Sequence, residues 1–188
     1  MPFSFTRTEI PDVILISPMS FSDERGYFFE NYKKTDFLNY GINYDFVQDN
    51  SSYSEANVIR GLHFQSPPHE QGKLVRVIIG KIVDVAVDIR KKSPTYGKWV
   101  SVILSADNKK MLWIPPGFAH GFLTLEKSYV HYKVTKEYNK GSEGGVIWSD
   151  PDLDIKWGIK EVKLSSKDEG WPTFRDIRSP FDYRSQLT

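Results

Sequence analysis

The sequence predicts an all-β fold, a sandwich or barrel of many short strands, and three observations predict it. Aromatic residues are abundant: 12 Phe, 10 Tyr and 5 Trp make up 14% of the chain, and such side chains, like β-branched ones, pack well on a pleated, half-buried surface. Short apolar runs recur along the whole chain, and turn residues such as Gly80-Lys81, Ser93-Pro94, Asp107-Asn108 and Pro115-Pro116-Gly117 separate them. Helical signals are few. The aromatic excess has a second reading beside the core, a cleft that stacks a flat ligand, and position decides between the two.

Each element follows in order. Strand-like runs cover residues 13–16, 27–32, 58–65 and 74–79, then 82–89, where Asp84 and Asp88 alternate with apolar residues. Further runs cover residues 99–104, 111–114, 121–125 and 128–135. A short helix is expected over residues 35–41, with Thr35 as a cap and Gly41 as a stop. A second turn or two of helix starts at Ser165 or Ser166, before Lys167 and Asp168. Beyond Trp171, Pro172 and Pro180 make the tail, residues 171–188, an irregular wrap over the surface. With no fixed-period repeat and no low-complexity linker, residues 1–188 read as a single domain.

Composition narrows the function. A formal net charge of +1 gives no global attraction to nucleic acid or an acidic membrane surface, so an anionic ligand must meet a local cluster of Arg and Lys. With no cysteine there are no disulfides, thiolate metal sites or thiol nucleophiles. No apolar run approaches the roughly 20 residues of a membrane span, and the first residues lack the apolar core of a signal peptide, so a cytoplasmic protein is expected.

Chemistry-bearing residues concentrate in Arg60-Gly61-Leu62-His63-Phe64-Gln65 and Gln71-Gly72-Lys73-Leu74-Val75-Arg76. Strand alternation puts Arg60, Leu62 and Phe64 on one face and Gly61, His63 and Gln65 on the other. A lone strand histidine is usually structural, but His63 has Arg60 and Lys73 nearby in sequence, and Pro116-Gly117-Phe118-Ala119-His120 supplies a second strand-entry histidine. A strand histidine followed by a distant Pro-Gly-x-x-His resembles the cupin superfamily, which implies a jelly-roll barrel. Metal-binding cupins place a Glu where this chain has Lys73, and a second His where it has Gln65. An ammonium repels a divalent cation, so no metal is expected. A rescue site built from His63, His69, Glu70 and His120 is the remaining metal reading.

Six stretches in order make the resemblance specific. They are Asp23-Glu24-Arg25-Gly26-Tyr27-Phe28-Phe29-Glu30, Phe46-Val47-Gln48-Asp49-Asn50, the Arg60 and Gln71 stretches, Pro115-Pro116-Gly117-Phe118-Ala119-His120-Gly121-Phe122 and Trp148-Ser149-Asp150-Pro151-Asp152-Leu153. Together they resemble the dTDP-4-dehydrorhamnose 3,5-epimerase family over nearly the whole chain. The resemblance implies a homodimer, often with an exchanged N-terminal strand, that needs no cofactor and acts on a dTDP-linked 4-keto-6-deoxy sugar. It implies His63 as the base, Asp168 as the carboxylate holding its tautomer, Lys73 as the cation at the ketone oxygen and Tyr132 as the acid. Arg25, Arg60 and Lys167 match anion-contacting positions. Glu30, Gln48, Asn50, His120 and Glu143 match further substrate contacts, and Phe28 and Tyr138 are candidates to stack on thymine.

The residue types suit that chemistry independently. Protons at C3 and C5 flank the C4 ketone, and a histidine, with an ordinary pKa of about 6.5, suits their removal near neutral pH. Alternation groups Tyr132 with Val130 and Val134 on an inward set and turns Asp49 away from Gln48 and Asn50. His131 is unusual beside Tyr132, and an inward orientation would complicate the proton donor's identity. The other aromatics, including Trp99, Trp113, Trp148, Trp157 and Trp171, are expected in the core or an interface. Three rival readings stand beside the double epimerase: a relative inverting only C3 or C5, a metal-dependent cupin oxygenase, and a non-catalytic sugar-nucleotide binder.

Overall fold

Two antiparallel sheets face each other and close around a shared apolar interior. In chain order the strands are β1 (Phe3–Arg7), β2 (Ile14–Pro18), β3 (Ser20–Asp23), β4 (Gly26–Phe29), β5 (Gln48–Ser54), β6 (Ile59–Gln65) and β7 (Lys73–Ile79). They continue as β8 (Lys81–Asp88), β9 (Trp99–Ser105), β10 (Met111–Ile114), β11 (Phe118–Thr124), β12 (Ser128–Val134) and β13 (Glu143–Gly145), with α1 (Lys34–Asn39) and α2 (Ser166–Glu169) as short helices. The larger sheet has the order β1-β2-β10-β7-β12-β5, the smaller β13-β6-β11-β8-β9, and β3 and β4 form a separate hairpin. This is a cupin-type jelly-roll barrel. The structure, a computed structural model, describes residues 2–183.

Alternation explains the interior. Val75 and Val77 of β7, Leu112 and Ile114 of β10 and Val130 of β12 meet Ile82 and Ala86 of β8, Val100 and Leu104 of β9, and Phe118 and Phe122 of β11. Burying each large aliphatic or aromatic side chain contributes roughly 1.5–3 kcal/mol. Both sheets are also covered outside. On the larger sheet, Phe37 of α1 packs edge-on to Phe3 and Phe5 at 5.4 Å. On the smaller sheet, Val85 and Val87 lie beneath Leu153, Trp157 and Phe181 of the C-terminal segment. From Asp84 to Asp88 both faces of β8 are therefore buried, and Asp84 points into the barrel with Ile82 and Ala86.

The structure departs from the sequence reading at several edges. Strands β1, β3 and β13 were not expected, β5 only through the alternation of Gln48, Asp49 and Asn50, and the run expected over residues 27–32 leaves strand conformation after Phe29. Helix α1 begins before Thr35: Lys33 occupies the cap position without a side-chain hydrogen bond, and Gly41 supplies the left-handed stop at φ +96°. Ser165 caps α2, its hydroxyl accepting from the Asp168 N–H. The tail is irregular as far as it is described. Phe181 packs at 6.0 Å against Phe64, and Ser179 donates to the Ile89 carbonyl. Residues 184–188 of the expected tail lie outside the described residues. Among the described residues no helix is long and apolar enough to cross a membrane.

Candidate active site

The barrel opens at one end into a polar cleft with two adjoining parts, of about 300 and 260 Å³, which share His63, Lys73 and Tyr132. His63 comes from β6 of the smaller sheet, and Lys73 and Tyr132 from β7 and β12 of the larger one. The first part also holds Arg60, His120, Lys167 and Asp168. The second holds Gln48, Asn50, Tyr138 and Glu143.

Arg60 and His63 share this cleft, although strict alternation places them on opposite faces. The cause is a bulge. On β11, His120 pairs with His63 and Phe122 with Arg60, so β6 spends one residue more than its partner across the same span. Gly61 sits in the bulge at φ +130°, where an added Cβ would lie 2.4 Å from Gly121 Cα. The two glycines allow the strands this approach, and the bulge turns the Arg60 guanidinium toward the His63 side.

His63 Nε2 lies 2.5 Å from Asp168 Oδ1. Because the carboxylate accepts, Nε2 carries the proton and Nδ1 keeps a lone pair for a substrate. Burial would raise the Asp168 carboxyl, but its hydrogen bonds, led by the one from His63, hold it below the usual carboxylate range. Trp171 takes part as well. Its Nε1 donates to Asp168 Oδ1 at 3.3 Å and its ring meets the His63 ring edge-on at 6.0 Å. This indole was expected in the core or an interface, and no sequence signal separated it from the other tryptophans.

Lys73 is 8% exposed, and burial pulls its pKa down to about 8, against the opposing charges of Asp84 and Glu143. Among the described residues its ammonium donates one long bond, to the His63 carbonyl at 3.4 Å. Burial raises the Tyr132 phenol above its ordinary value, so it stays protonated across neutral pH. His120 is buried with Nε2 at 2.7 Å from Asp84 Oδ1. Across the cleft mouth Tyr138 donates to Glu143 Oε2 at 3.0 Å, and Lys167 donates to Glu143 Oε1. These bonds outweigh burial and keep the Glu143 carboxyl low.

Three predicted contacts are not brought together with the rest inside one chain. Arg25 and Phe28 lie on the β3–β4 hairpin, Phe28 is 67% exposed, and neither lines the cleft. Glu30 follows the hairpin and leaves Oε2 buried without a hydrogen-bond partner. His131 faces outward, 3.3 Å from Ser51 Oγ on the outer side of the larger sheet, so it does not compete with Tyr132. Asp49 likewise turns out, to Lys133 at 2.9 Å. His69 meets Asn139 at 3.3 Å rather than His63, and among the described residues no three His, Asp or Glu side chains gather as metal ligands. Gln65 donates to the His69 and Glu137 carbonyls and accepts from the Asn139 N–H, a structural role.

An imidazole and a phenol on opposite walls of one barrel can take a proton from one face of a carbon and return one to the other. The fold and site thus define a proton-transferring isomerase of the cupin class. The family model described as dTDP-4-dehydrorhamnose 3,5-epimerase matches residues 7–176. A dTDP-4-dehydrorhamnose 3,5-epimerase of Salmonella typhimurium is 52% identical over 169 residues, 88% of this chain and 92% of its own. The chain belongs to the dTDP-4-dehydrorhamnose 3,5-epimerase family. A dTDP-6-deoxy-D-glucose-3,5-epimerase from Legionella pneumophila, solved with dTDP-4-keto-L-rhamnose, superposes with a TM-score of 0.94 at 43% identity, over 97% of this chain and 100% of its own. A 3'-monoepimerase from Streptomyces bikiniensis, solved with dTDP-quinovose, has a TM-score of 0.85 at 30% identity, over 90% of this chain and 87% of its own.

Proposed function

We propose that this protein inverts C3 and C5 of dTDP-4-dehydro-6-deoxy-D-glucose to give dTDP-4-dehydro-L-rhamnose, as a cytoplasmic, single-domain enzyme that needs no cofactor. The placement of His63 and Tyr132 on opposite walls of a cleft that Lys73 also lines carries this reading. His63 Nδ1 removes the proton next to the ketone, and the electron pair moves onto O4 as an enolate. The Lys73 ammonium stabilises that oxyanion, a contribution of several kcal/mol in a water-poor site. Tyr132 protonates the opposite face, then regains a proton from solvent while the His63 imidazolium releases the one it took, which readies both groups for the second carbon. Asp168 holds the His63 tautomer and balances the imidazolium formed. Arg60 and Lys167 receive the diphosphate, with Lys167 released from Glu143 as the anion arrives.

The hairpin belongs to this reading through a second copy of the chain. Arg25, Phe28 and Glu30 match substrate-contacting positions yet stand apart from their own cleft, and the hairpin carries exposed Phe21, Tyr27 and Phe28. In a homodimer these residues complete the neighbouring subunit's site, with Phe28 and Tyr138 as faces for thymine.

The test is the configuration of the product. Ring-proton couplings of the keto-sugar after incubation should report inversion at both C3 and C5. Inversion at C3 alone would move this chain to the monoepimerase reading, which its likeness to the Streptomyces bikiniensis enzyme keeps in play.

A further inference from the structure

Asp84 is fully buried, on β8 between β11 and β9 of the smaller sheet, and does not line the cleft. Its Oδ1 accepts from His120 Nε2 at 2.7 Å, and its Oδ2 has no hydrogen-bond partner among the described residues. Leaving a carboxylate oxygen unmatched in an apolar barrel is unfavourable unless another charge compensates. The other acid on the inner face of β8, Asp88, is satisfied by Arg90, Ser93 and Thr95. The groups facing Lys73 on the cleft side are Arg60 and His63 from β6, Tyr132 from β12, and Lys167 and Asp168 from α2. Glu143 from β13 lies at the mouth, His120 from β11 lines the first part of the cleft, and Asp84 from β8 lies behind His120. Of the carboxylates, Asp168 serves His63 and Glu143 serves Lys167 and Tyr138. Of these carboxylates, Asp84 alone has a buried oxygen without a hydrogen-bond partner among the described residues.

Resting on the epimerase reading, we propose that Asp84 is the positioning residue behind the catalytic cleft. It fixes His120 with Nδ1 unprotonated, as an acceptor for a hydroxyl of the substrate sugar, and supplies the counter-charge that keeps Lys73 an ammonium. The direction of the Lys73 and His120 perturbations agrees: burial disfavours charge on both, and Asp84 opposes it on both.

Asp84→Asn separates the two roles, because the amide oxygen still accepts from His120 Nε2 while the charge is gone. With dTDP affinity kept within about threefold as the folding control, the Lys73 titration followed by 13Cε NMR should drop by about one pH unit or more. The alkaline limb of kcat should move down with it, and Asp84→Glu should restore both. A folded Asn variant whose Lys73 titration and alkaline limb do not move overturns the counter-charge role. The His120 tautomer is read by 15N NMR on the unmodified protein, so a variant that fails to fold does not block the test. A proton on Nδ1 there overturns the positioning role. Both NMR readouts need no turnover, so they judge Asp84 even if the enzyme exchanges no substrate proton.

Discussion

His63 and Tyr132 reach one cleft from facing sheets, and that opposition is what inversion of a carbon requires. Replacing His63 by Ala should lower the rate of epimerisation by at least about 10²–10⁴-fold. Isothermal calorimetry should show dTDP affinity changed by no more than a few fold; equal loss of both would make His63 structural. Tyr132→Phe should still exchange a substrate proton with solvent but yield no inverted product, and unchanged product formation would remove Tyr132 as the acid. In the proposed mechanism Lys73 acts as a cation, and burial brings its pKa down to about 8. The ammonium is therefore present below that pH, and kcat should fall as pH rises through it; a flat profile to pH 10 would assign the oxyanion another partner. Most residues that line the cleft were named through the family resemblance carried by the motif order, and residue types alone singled out little beyond the stretches around His63 and Lys73. Asp84 was visible only as an acid in an alternating strand, since nothing local says that both faces of β8 are covered. Trp171 was invisible, because its bond to Asp168 depends on how the tail returns to the barrel.

At the scale of elements, the bulge in β6 is the feature that assembles the cleft. Alternation alone turned Arg60 away from His63; one extra residue opposite Gly121 reverses that. Gly61→Ala should destabilise the fold by about 2–4 kcal/mol and reduce nucleotide binding with it, because the methyl meets β11 backbone at 2.4 Å with φ at +130°. Thermal unfolding measures the first effect, and an unchanged melting temperature would mean that β11 yields easily. Strands with one apolar face were legible in sequence. Strand β5, Gln-Asp-Asn-Ser-Ser-Tyr-Ser, was legible only in the alternation of Gln48, Asp49 and Asn50: its inward Gln48, Asn50 and Ser52 line the cleft instead of filling the core. Function replaced the hydrophobic pattern that would have announced the strand. Helix α1 was placed close to its true position by Gly41, while its start lacks the side-chain cap the reading assigned to Thr35.

For the whole molecule, the barrel explains how residues as far apart in sequence as Gln48 and Asp168 share one cavity, and the hairpin points beyond the single chain. If the homodimer completes each site, mixing Arg25→Ala protein with His63→Ala protein after dissociation and reassembly should restore activity. The mixed dimer then contains one cleft with an intact His63 and an intact neighbouring Arg25. Activity no higher than the sum of the separate variants would return the hairpin to a structural role. The central claim is proton transfer at both carbons flanking the ketone, by side chains alone. It is tested most directly by proton NMR of the metal-stripped protein with dTDP-4-dehydro-6-deoxy-D-glucose in D2O. Deuterium entering at both C3 and C5 without added metal or cofactor is the predicted result; no exchange at either carbon would contradict it.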